Sequence, residues 1–139
     1  MSEQELSAKV AAILSEDRLL SARLITQPSA MLIPFMKSRE SFYLLVSLTF
    51  DESERIALEA RQMSLNALRL LVQSNIANNS SGIEVVPYVK PRNQKYRLFR
   101  LSVLKSSFDI ALKLQEQDLL NEKPAEGITC GWYVEKPST

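Results

Sequence analysis

Residues 42–50 read Phe42-Tyr43-Leu44-Leu45-Val46-Ser47-Leu48-Thr49-Phe50, and the placing of that stretch decides everything around it. Aromatic and branched side chains dominate it. Phe42, Leu44, Val46, Leu48 and Phe50 alternate with Tyr43, Leu45, Ser47 and Thr49, the two-residue period of a strand whose first set faces a core. Asp51 follows, with Glu54 three residues on, a helix start whose acidic first turn suits the helix dipole. A broad apolar stripe through Ile56, Ala60, Met63, Ala67, Leu70 and Leu71 then runs to about Ala77, as expected for a helix lying across a sheet.

Downstream, Asn78-Asn79-Ser80-Ser81-Gly82 is turn chemistry, and it releases the chain into an apolar run from Ile83 to Lys90. Pro91 to Gln94 forms a second loop before Lys95 to Lys105, so the two runs make a hairpin with Phe99, Leu101 and Val103 on one side and Tyr96, Leu98, Arg100 and Ser102 on the other. Ser106 or Ser107 caps a helix running through Phe108, Ala111, Leu112 and Leu119, and Pro124 and Gly127 end it. Ile128 to Glu135 closes the order as a strand, with Ile128, Cys130, Trp132 and Val134 inward and Thr129, Gly131 and Tyr133 outward.

Upstream, Ser2 and Glu5 form a capping box, and Leu6, Val10, Ile13, Leu20 and Leu24 keep a helical spacing until Pro28. Asp17 interrupts that apolar face, so Ser15 to Asp17 is where the helix breaks in two if it breaks. Ala30 to Met36 is a short apolar run whose Pro34 makes it an edge strand or an extended connection.

Two packings fit this order within a single domain spanning 1–139. In one, residues 42–135 form a ferredoxin-like βαββαβ core, preceded by the helix of residues 1–29 as an extension. In the other, Ala30 to Met36 pairs with Phe42 to Phe50, giving an α-βββ-α-ββ-α order that is similar to the small dimeric chaperones of type III secretion. Both give an α+β fold, an antiparallel sheet with helices on one face. They conflict at one edge, because a partner beside Phe42 to Phe50 takes the place that the ferredoxin-like order gives to Ile128 to Glu135.

Composition narrows the chemistry. The 139 residues are 45% hydrophobic and 24% charged, enough to bury a core without disulfides or a metal. Histidine is absent and Cys130 is the lone cysteine. That removes the usual ligands of zinc, copper and haem and the histidine-assisted forms of serine and cysteine catalysis. No metal, cofactor or enzymatic activity is expected. The polar start, Met1 to Glu5, lacks the features of a secretory leader, and the longest apolar run is far short of a bilayer span, so a cytoplasmic protein without a membrane partner is predicted.

In this phase all four tyrosines, Tyr43, Tyr88, Tyr96 and Tyr133, share the sheet face away from the helices, with Leu45, Leu98 and Arg100. Such a surface is too apolar to leave wet without a reason. Charge is uneven as well. Six of the 17 basic residues, Lys90, Arg92, Lys95, Arg97, Arg100 and Lys105, lie on the hairpin with no acid between Glu84 and Asp109, which leaves 11 basic against 16 acidic residues elsewhere, a formal −5.

The expected function is that of a small non-enzymatic adaptor or assembly protein. It would hold a protein partner or its own copy through the tyrosine face and the N-terminal helix, since tyrosine joins a flat apolar body to a polar tip. The alternative is single-stranded RNA or DNA, with bases stacked on the tyrosines and Lys90, Arg92, Lys95, Arg97 and Lys105 binding phosphate anions. Against it, the glycine-containing third-strand signature of RNA-recognition domains is missing. Other features have plainer readings. Cys130 alternates with Trp132 on the inward face and reads as core. Asp51, Glu52 and Glu54 read as capping acids, Asn78 to Gly82 as a turn without a phosphate-loop lysine, and Met31, Met36 and Met63 as packing.

Overall fold

The Ser2 hydroxyl accepts from the Glu5 amide at 3.1 Å, so Ser2 caps the start of helix α1, Glu3–Leu14. The computed structural model describes residues 2–34, 42–50, 54–89 and 96–135, and the side chains of all of these but 54–58, 89, 96, 97, 134 and 135. Asp17 does more than interrupt an apolar face. Its carboxylate accepts from the Leu20 amide at 2.9 Å and starts a second helix, α2, Arg18–Arg23. Strands β1, Ser29–Pro34, and β2, Phe42–Phe50, follow, then helix α3, Glu54–Gln73. Strands β3, Gly82–Val89, and β4, Tyr96–Leu104, precede a 3-10 turn over Lys105–Ser107, a short helix α4, Phe108–Ala111, a second 3-10 turn over Glu116–Leu120, and strand β5, Ile128–Glu135.

The strands form one sheet in the order β1-β2-β3-β4-β5. Neighbours are antiparallel except β2 and β3, which run parallel. A 20-residue helix is a sufficient crossover for such a pair. This corrects the expected packing: the fold is α+β with a mixed sheet, neither wholly antiparallel nor ferredoxin-like in order. The physical reason lies at β2. β1 occupies one of its edges, pairing Ala30 with Val46 and Ile33 with Tyr43, so β3 takes the other and β5 is left to pair with β4. The chaperone-like alternative had the β1–β2 pairing right, but two strands precede α3 and three follow it, not three and two.

Outer backbone groups of β1 are covered where α1 passes. The Ser7 hydroxyl donates to the Ala30 carbonyl at 3.1 Å and accepts from the Ala30 amide at 2.9 Å. Pro34 has no N–H to leave open, so this edge is blunted against further strand pairing.

One side of the sheet carries the core. Leu44, Val46, Leu48, Phe50, Ile83, Val85, Phe99, Leu101, Val103 and Ile128 are buried with Leu6, Val10 and Leu14 of α1, Leu20 of α2 and Ala60, Met63, Ala67, Leu68 and Leu71 of α3. Ala111, Leu114 and Leu119 join the same cluster. The helix expected from Ser106 to Leu119 is therefore broken into short turns. The Ser107 hydroxyl donates to the Glu126 carbonyl at 2.7 Å instead of capping, and the Arg69 guanidinium of α3 donates to the Leu114 carbonyl where α4 has run out. The capping of α3 by Asp51, and the loop from Pro91 to Gln94, lie outside the described residues.

Candidate docking face of the sheet

Strand register assigns the opposite face residue by residue. Tyr43 pairs with Gly82, Leu45 with Glu84, Thr49 with Tyr88, Tyr88 with Leu98, Leu98 with Tyr133 and Arg100 with Gly131. Tyr96 sits two positions before Leu98 on β4, so all four tyrosine positions share the parity of Leu45, Leu98 and Arg100. Every helix, α1 to α4, contributes its buried residues to the other side. The buried residues of the N-terminal helix thus pack on the side of the sheet opposite the tyrosines.

Two glycines shape this face. A Cβ on Gly82 would lie 2.3 Å from the Tyr43 ring and 2.5 Å from the Val103 carbonyl, so the ring rests directly on the glycine backbone of the neighbouring strand. Tyr133 repeats the arrangement within its own strand, its ring 3.8 Å from the place a Gly131 Cβ would take. Aromatic cover of this kind compensates a strand glycine for the packing it lacks. The rings consequently lie low over the sheet.

A polar group occupies the middle. Glu84, on the central strand β3, accepts from the Ser102 hydroxyl at 2.9 Å and lies 3.9 Å from the Arg100 guanidinium. Arg100 in turn stands 5.6 Å from the centre of the Tyr133 ring, a cation–π distance. Burial, and secondarily the Glu84 carboxylate, push the Tyr43 phenol above its ordinary range, so Tyr43 stays neutral at physiological pH. Leu98 and Val86 form a floor beneath these groups, only 2% and 1% exposed, whereas Tyr133 is 53% exposed. Leu98 was expected to touch a partner. Its side chain is instead buried.

Of the six basic residues, Arg100 is the one whose described side chain lies on this face. Among the described side chains of this face the charged ones are Glu84 and Arg100, one of each sign. Arg97 pairs with Val89 and Val134 and so has the parity of Phe99, not of Arg100. Lys105 lies past the end of β4 and donates to the Asn78 carbonyl. Lys90, Arg92 and Lys95 lie outside the described residues.

Ser102 and Gly131 carry the phase of this surface in the sequence, whereas Glu84 and Gly82 went unread as parts of it. The signal was present: Glu84 stands four residues before Tyr88 and shares its phase. Cys130 is buried on the core side, with its sulfur 3.3 Å from the Leu119 carbonyl and 3.2 Å from that of Asn121. Burial raises its pKa, Arg61 pulls the other way and Glu122 raises it again, so the thiol is a poor nucleophile. Among the described residues no three of His, Cys, Asp and Glu meet as a metal cluster, and no helix is long and apolar enough to cross a membrane. No protein-family model, curated protein or solved structure matches the chain.

Proposed function

We propose that this chain is a small docking protein of the cytoplasm that works by binding another protein surface, and not by catalysis, through the sheet face bearing Tyr43, Leu45, Tyr88 and Tyr133. One observation carries the reading: the helices all lie on the far side, leaving a broad face of apolar and tyrosine side chains held flat and centred on a single ion pair. Tyr133 and Met31 are exposed on it and Tyr43, Leu45 and Tyr88 are half-buried, and contiguous apolar surface of this kind marks interaction sites. Tyrosine suits a surface that is wet when alone and dry when bound.

The oligonucleotide reading gains less support. Phosphates approaching the tyrosines would meet Glu84, and Arg100 already has that carboxylate as a neighbour. The test is a photo-crosslinking residue in place of Tyr133, compared with one in place of Leu120, which is 67% exposed on the turn before β5. Discrete protein adducts from position 133 but not from position 120 are expected. An empty lane at position 133, or micromolar binding of a single-stranded oligonucleotide that collapses with salt, overturns the proposal.

A further inference from the structure

The geometry points to a second copy of this chain as the occupant of the tyrosine face, an inference that rests on the docking reading and narrows it. A twofold interface is isologous, so the same patch must complement itself. This face meets that condition. Its described charges are one acid and one base on adjacent strands, Glu84 on β3 and Arg100 on β4, and β3 is the central strand of the five. A twofold axis passing between them lays each Arg100 against the other copy's Glu84, converting a pair within one chain into a four-membered ring of alternating charge. A partner of strongly one-signed surface would instead leave Glu84 or Arg100 facing its like.

Area agrees with a pair. Five strands spaced about 4.8 Å apart and roughly eight residues long cover a flat footprint of about 600 Å² per copy. That lies below the ~800 Å² per partner of a standard protein interface and suits a weaker, exchanging dimer. The rim supplies apolar contact through Met31 and Tyr133, both exposed, and the low-lying Tyr43 allows close approach of a second flat surface.

The test uses the full chain and two opposite charge changes. Light scattering on the unaltered protein should give twice the chain mass at micromolar concentration. Arg100→Glu makes the face doubly negative and Glu84→Lys makes it doubly positive, so each alone should weaken self-association by roughly tenfold or more. An equimolar mixture of the two should recover a dimer holding one of each. Circular dichroism melts confirm that both variants fold, and if either does not, Tyr133→Lys takes its place with the same expected loss. A monomeric unaltered chain, wild-type self-association in every variant, or a mixture that stays monomeric overturns the inference. A monomer that still crosslinks from position 133 to a different protein removes self-pairing and leaves the docking reading standing. Absence of any adduct removes both.

Discussion

The two faces of this sheet are built by different means. On the helix side, Leu44, Phe50, Ile83, Phe99 and Leu101 are buried by elements far away in the chain, with α1, α2 and α3 all converging on them. On the tyrosine side, Leu98 and Val86 are just as buried but stand outside the helix-side cluster, while the Tyr43 ring lies over Gly82 and the Tyr133 ring beside Gly131. Burial by another layer stabilises the fold, because it disappears on unfolding together with the whole core. On the other face Tyr133 keeps half of its surface in water. The comparison separates a face that holds the protein together from one that is free to hold something else.

If that contrast is right, substitutions should divide by face. Phe99→Ala removes a fully buried ring that packs against Trp132 with centroids 5.5 Å apart. A loss of about 3–5 kcal/mol in urea denaturation is expected. A loss under about 1 kcal/mol would mean the helix-side core is far looser than its burial implies.

Gly82→Ala comes next. Its Cβ meets the Val103 carbonyl as well as the Tyr43 ring, and backbone yields less readily than a side chain, so a loss of about 1–3 kcal/mol is expected. Gly131→Ala is the matched control. The nearest atoms stand at ordinary contact distance, and stability should change by no more than about 0.5 kcal/mol or even improve slightly. Equal losses at the two glycines would refute the distinction between a ring resting on backbone and a ring beside it.

Cys130 gives a smaller effect that depends on pH. Its thiol pKa is raised in the folded protein, chiefly by burial, so the native state keeps a proton that the unfolded chain gives up. The associated stability is complete below the thiol's ordinary value of 9.0 and is lost as pH rises through the raised one. Tyr43 titrates in the same direction, so the measurement is the difference between the native chain and Cys130→Ala. The gap between their denaturation midpoints should narrow above that pH, and a constant gap would contradict the assignment.

Least affected in stability should be Tyr133→Ala, with a change within about 0.5 kcal/mol, since half the side chain is already in water. Docking should nevertheless be lost. A stability cost as large as that of Phe99→Ala would place Tyr133 among the fold's own supports and dissolve the comparison.

Much of the molecule could be read before any coordinates. Ser2 with Glu5 marked the first helix, Asp17 marked its interruption, and the alternation from Phe42 to Phe50 set the side that Tyr43 and Leu45 take. These are local signals, decided by caps, turns and a period of two. The break in the segment after Ser107 was not legible, because it depends on the Glu126 carbonyl and on Arg69 reaching Leu114 from another helix.

By itself the sequence determined where the strands and the helices before them lie and which side the alternating residues of β2 take, since both follow from contacts within a few residues. Strand order, the parallel pairing of β2 with β3, the placing of α1 opposite the tyrosines, and the meeting of Glu84 with Arg100 and Ser102 were decided only in three dimensions. An edge of β2 accepts one neighbour, and which strand arrives there depends on how all the layers bury their apolar faces at once, a condition no local pattern encodes.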